Sequence, residues 1–142
     1  MKTIIIGEKI AHIYEEMIFH RSKELEKLGV DINHYNYILT ISDYPGCNQN
    51  FLAQKRKVDK AMVTRIVNKY INQKLIEKKV HPQNKSAYSL YLTTEGEKIA
   101  KRIKKTIIEI NNKIIKHYST DSLNSLIEQL DNLSAIVEEE LK

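Results

Sequence analysis

Lys60, Thr64, Arg65, Asn68, Lys69 and Asn72 recur at strides of three and four, so a helix through this stretch gathers them on one side. Met62, Val63, Ile66, Val67, Tyr70 and Ile71 then form the apolar side. The polar side offers ammonium, guanidinium, hydroxyl and carboxamide donors, the groups that neutralise phosphates and bond to base edges. Arg65 has a planar fork suited to guanine O6/N7 or to phosphate, and Thr64 a methyl suited to thymine; a surface ion pair is the plainer use of Arg65. Asp59 is read first as the N-cap of this helix and second as a base reader. Asn68 and Lys69 face phosphate or solvent.

Charge is focused around that helix. The 142-residue chain carries a formal +5, which says little by itself. Between Gln54 and Lys85, however, ten basic residues meet only Asp59 and Glu77, whereas from Ser119 to Lys142 six acids meet a single lysine. Lys55, Lys57, Lys78, Lys79 and Lys85 are interchangeable position-holding charges for a polyanion, and a merely solvated face is the alternative.

Enzymatic chemistry finds no support. There is no glycine-rich phosphate cradle, nucleophile motif, or acid and base at useful spacing. The lone Cys47 excludes an internal disulfide and a multi-cysteine metal site. It follows a turn and precedes a helix start, where amide dipoles could activate a thiol, but an inert cysteine is favoured. His12, His20, His34, His81 and His117 never take a metal-ligand spacing, so neither metal nor cofactor is expected. The Thr3–Ile6 apolar run is too short for a membrane span or secretory signal, and a cytoplasmic location follows by default.

The elements that must carry the polar helix are mostly helical. Strides of three and four from Ile4 to about Leu28 predict a first helix, with Gly29 as its C-terminal cap. Asp31 or Asn33 would cap a second helix bearing Tyr35, Ile38, Leu39 and Ile41, stopped by Tyr44-Pro45-Gly46. Asn48 would cap a short third helix with Phe51 and Leu52, and Val58 would fill the joint before the fourth. His81 to Lys85 reads as a turn, and Ala87 to Leu92 as a tyrosine-rich strand. That hairpin must lean on the helices, because two strands are not stable alone. Thr94 and Glu97 have capping-box spacing at the start of a long isoleucine-striped helix, and Ser119 or Thr120 starts a last leucine-striped one. The fold expected is mainly α with a small β-hairpin wing. A short helix, a tight joint, a longer helix and a wing together place one helix in the DNA major groove.

The first, fifth and sixth helices exceed what a three-helix reading head needs. Ile10, Ile13, Ile110, Ile114, Leu123, Leu126, Leu130, Leu133 and Val137 either finish the monomer's own core or form a homodimer interface, and the dimer is the expectation.

In order, spacing and total length, Asn50-Phe51-Leu52-Ala53, Val58, Met62 to Lys69, Leu75-Ile76-Glu77-Lys78 and Leu90 to Gly96 resemble the MarR/SlyA family of winged helix–turn–helix repressors. The resemblance covers essentially the whole chain. It implies a single domain over 1–142, with a winged helix–turn–helix over 31–93 and dimerisation helices over 1–30 and 94–142. It further implies a homodimer on a pseudo-palindromic operator of double-stranded DNA, usually as a repressor. An activator of the same fold and a non-enzymatic protein-interaction module are the alternatives. Family members accept small aromatic ligands, and Tyr14, His20, Tyr35 and Tyr37 are the candidates to line such a cleft, although core packing explains them nearly as well.

Three positions depart from the family pattern. The wing tip commonly holds an aspartate and an arginine pair, where this chain has Asn84, Lys85 and Ser86. Asn84 can still hydrogen-bond and Lys85 can still neutralise phosphate, but neither reproduces a bidentate clamp in the minor groove. Lys74 stands where a glycine usually precedes the wing, so the backbone there either avoids positive φ or is strained. The cysteine that oxidation-sensing branches place in the first helix is missing.

Overall fold

The computed structural model describes residues 2–81 and 83–142, without the side chains of residues 84–87. Among the described residues, six helices and one hairpin follow in the order α1 (Ile6–Glu26), α2 (Tyr35–Asp43), α3 (Gln49–Arg56), α4 (Lys60–Asn72), β1 (Ile76–His81), β2 (Asn84–Leu92), α5 (Thr94–Ile115) and α6 (Thr120–Glu140). The chain divides into two compact units, one ending at Thr106 and the other running from Ile107 to Lys142.

The first unit is built around the reading head. Helix α3 packs on α4, α2 on β2, and α4 runs into β1. Leu25, Ile38, Ile41, Leu52, Val63, Ile66, Val67, Tyr70, Ile76, Leu90 and Ile103 are fully enclosed, so every element of this unit contributes to one aliphatic core. The apolar side expected for α4 is the buried one, except that Met62 is exposed and Ile71 half-buried.

The strands pair antiparallel, with Ile76 opposite Leu92, Lys78 opposite Leu90 and Val80 opposite Tyr88. Alternation puts Ile76, Leu90 and Leu92 on the inner face. Strand β2 begins at Asn84, earlier than the expected Ala87–Leu92 segment, β1 takes in His81 of the expected turn, and Pro82 of that turn lies outside the described residues. The rest of β2 is held by the loop after α2. The Gly46 amide donates to the Leu90 carbonyl at 2.8 Å, and the Leu90 amide donates to the Cys47 carbonyl at 2.9 Å. Gly46 has φ +87°, which favours glycine, and a Cβ there would meet the Tyr91 hydroxyl at 3.1 Å and push that side chain aside.

Two caps differ from expectation. Neither Asp31 nor Asn33 caps α2: the Asp31 carboxylate accepts from the Asn33 amide at 2.8 Å, closing a local turn, and α2 begins after His34 without a side-chain cap. Helix α5 is capped by Thr93 rather than Thr94, its hydroxyl accepting from the Gly96 amide at 3.0 Å. Lys74 resolves the other way from a relaxed turn: it adopts φ +60°, the left-handed conformation that costs a side-chain-bearing residue about 1–2 kcal/mol.

The second unit comprises the end of α5 and α6. Ser119 caps α6 by accepting from the Ser122 amide at 3.2 Å. No residue of α6 is buried. Leu123 and Leu133 are partly covered, while Leu126 is 37% and Leu130 52% exposed. Among the described residues no helix is long and apolar enough to cross a membrane.

Candidate nucleic-acid interface

Helix α4 is delivered by two caps and a joint. The Asn48 carboxamide accepts from the Phe51 amide at 2.8 Å and starts α3; the Asp59 carboxylate accepts from the Met62 amide at 2.7 Å and starts α4. Between them Lys57 takes φ +52°, turning the chain, and the Val58 amide donates back to the Ala53 carbonyl at 3.1 Å. Asp59 therefore acts as the cap, as its position before α4 predicts. With Val63, Ile66, Val67 and Tyr70 buried below, Lys60, Thr64, Arg65, Asn68 and Lys69 all stand exposed.

The exposed donors continue onto the flanks. Lys55 and Lys57 are exposed at the end of α3 and in the joint. So is Arg56, which sequence reasoning counted as charge but did not place at the interface, although it lies within the same basic run. Several of these cations lie over aromatic rings: Lys55 at 5.2 Å from the Tyr44 centroid, Lys78 at 4.5 Å from Tyr88, and Lys79 at 4.6 Å from Tyr91. The side chains of Asn84 and Lys85 at the wing tip lie outside the described residues.

One side chain missed entirely by sequence spacing is Gln49. Its Oε1 lies 3.0 Å from the Thr64 hydroxyl, which also lies 2.9 Å from the Lys60 carbonyl oxygen. Nothing local joins positions 49 and 64; only the packing of α3 on α4 does.

The four aromatic candidates occupy two environments. Tyr35 and Tyr37 are buried in α2, whereas Tyr14 and His20 are exposed on α1. The Tyr35 hydroxyl accepts from Arg21 Nη1 at 2.8 Å, and burial pushes the Tyr37 hydroxyl pKa up. His34 lies edge-on to Tyr37 with centroids 6.3 Å apart. Its Nδ1 is buried without a hydrogen-bond partner, 3.8 Å from an Asp31 carboxylate oxygen. Cys47 is half-buried, and burial pushes its thiol pKa up, opposite to activation. Among the described residues no three or more His, Cys, Asp or Glu side chains cluster as metal ligands would.

A capped short helix, a turned joint, a helix with buried apolar and exposed donor faces, and a lysine-bearing hairpin define a winged helix–turn–helix module. Residues 30–86 match the model of the MarR family. Over 127 residues the chain is 26% identical to the HTH-type transcriptional regulator BilQ of Clostridium symbiosum, covering 89% of this chain and 88% of the relative. An uncharacterised HTH-type regulator of Bacillus subtilis, YybA, is 33% identical over 76 residues, 54% of this chain and 51% of that one. Among solved structures, the regulator SlyA superposes with a TM-score of 0.82 at 21% identity, covering 96% of each chain. A MarR-family regulator from Listeria monocytogenes, solved with a 26-mer DNA, gives 0.80 at 21% identity, covering 99% of this chain and 92% of that one. Residues 30–86 are thus similar to the MarR family, and the fold of the chain is that of the winged helix–turn–helix proteins it superposes on.

Proposed function

We propose that this protein is a DNA-binding transcriptional regulator of the MarR family, which works as a homodimer on a pseudo-palindromic operator and represses transcription by occupying a promoter. The observation that carries the reading is α4 itself, with four enclosed apolar side chains beneath and Lys60, Thr64, Arg65, Asn68 and Lys69 exposed above. Arg65 and Thr64 are the base-reading candidates; Lys60, Asn68 and Lys69, with Lys55, Lys57, Lys78, Lys79, Asn84 and Lys85, are assigned to phosphate and groove contacts. Asp59 holds the start of the helix.

Dimerisation is supported by the apolar rows left uncovered. Ile10 and Ile13 on α1 are exposed, as are Ile114 on α5 and Leu126, Leu130 and Val137 on α6. A two-fold dimer presents two α4 helices to successive major grooves about 34–36 Å apart. A small aromatic effector that alters this separation would release the operator. Tyr14, His20, Tyr35 and Tyr37 remain its candidate contacts, with Tyr14 and His20 being the accessible pair.

The test is selection of bound duplexes from a random double-stranded pool, followed by Arg65→Glu on the enriched sequence. The variant should keep its fold and lose about 100-fold or more in affinity, since one charge is reversed in each subunit. Undiminished binding by this variant would remove α4 as the reading element.

A further inference from the structure

We infer that Gln49 is a positioning and specificity-determining residue of the reading face, coupled to Thr64 across the α3–α4 joint. The inference rests on the DNA-reading role proposed for α4.

Gln49 is the first residue of α3 and is half-buried, whereas Thr64 is exposed one turn into α4. The two meet at 3.0 Å, Thr64 Oγ1 donating to Gln49 Oε1. The same hydroxyl lies 2.9 Å from the Lys60 carbonyl, so its single proton is held between two acceptors on α3 and α4. This arrangement has two consequences. The Thr64 proton is occupied within the protein, which leaves its methyl and the acceptor side of its oxygen to meet a base. With Oε1 engaged by Thr64, the Gln49 carboxamide can offer its Nε2 protons to an acceptor on a base edge beside the one Thr64 meets. A carboxamide fixed at one end discriminates between acceptors better than a free one, because less rotamer freedom is lost on contact. The pair carries no charge, so its contribution is separable from that of the surrounding lysines.

The full-length protein should be compared on two probes: the duplex enriched from the random pool and a scrambled duplex of equal length, each at several salt concentrations. Gln49→Leu and Thr64→Val should each lower the ratio of enriched to scrambled affinity by about tenfold. The double variant should lose no more than the worse single, because each change breaks the same unit. The dependence of affinity on salt should stay at the wild-type slope, and melting temperatures should be unchanged. Additive losses, equal losses on both duplexes, or wild-type discrimination by Gln49→Leu would overturn the inference. If the wild type enriches no duplex at all, both the inference and the DNA-reading role fall. If wild type and Arg65→Glu behave as expected while Gln49→Leu does not, only the inference falls.

Discussion

The Thr93 hydroxyl donates to the Lys74 carbonyl oxygen at 2.6 Å, joining residues 19 apart in the chain. The same hydroxyl accepts from the Gly96 amide at 3.0 Å, and the Thr93 amide donates to the Leu75 carbonyl at 3.0 Å. One side chain thus closes the base of the wing, holding its left-handed entry turn against the start of α5. Thr93→Val keeps the shape and removes both hydroxyl bonds. It should cost about 1–2 kcal/mol in urea unfolding, with Thr93→Ser restoring most of the loss. Equal stability of the valine variant would show that the entry turn holds without this contact.

Gly96 sits where that closure is tightest. A Cβ added there would lie 2.1 Å from the Leu75 carbonyl oxygen and 3.2 Å from the Leu92 Cβ. The first is backbone, so no rotamer change relieves it. Gly96→Ala should destabilise by about 2–4 kcal/mol, despite the better helix propensity of alanine. Its effect should appear as lowered thermal stability together with increased amide exchange at Leu90 and Leu92. A neutral or stabilising alanine would mean that α5 can slide away from Leu75 freely.

Periodicity made the helical architecture readable, because α1, α4, α5 and α6 each carry long runs with a helical apolar stride. The Asn48, Asp59 and Ser119 caps were likewise legible, since each is a short polar side chain just before a helix start. Thr93 was not, because Thr94 three residues before Glu97 offered a competing local signal, and the Lys74 carbonyl that favours Thr93 is remote in sequence. The α2 start is hidden for a similar reason: Asp31 closes its own turn instead of capping. At the interface the stride exposed Lys60, Thr64 and Arg65, whereas Gln49 depends wholly on how α3 meets α4.

The α6 surface makes a direct prediction about assembly. Leu126 and Leu130 lie one turn apart and are exposed, so changing them disturbs no enclosed core. Leu126→Glu with Leu130→Glu should leave circular dichroism of the reading head intact while placing charge on the proposed dimer surface. Sedimentation should then report a monomer at micromolar protein, and operator affinity should fall because a lone half-site is engaged. A variant that still sediments as a dimer would exclude this row from the interface.

His34 gives the pH prediction. Burial lowers its pKa most, Lys69 and Arg65 of α4 lower it further, and Asp31, in the loop before α2, opposes them. The unfolded chain binds this proton near the ordinary value of 6.5, and the folded chain only at lower pH. Stability contributed by neutral His34 is therefore full above that value and is lost as pH falls through the folded one. Asp31 is lowered chiefly by its bond from the Asn33 amide, so its own loss begins only below the ordinary carboxylate value of 3.8. The two windows are separate. His34→Gln should flatten the fall in melting temperature between pH 7 and about 5 while leaving the steeper acid limb in place. If the glutamine variant follows the wild-type curve throughout, His34 takes up its proton equally in both states, and its buried Nδ1 is not what makes the reading head acid-sensitive.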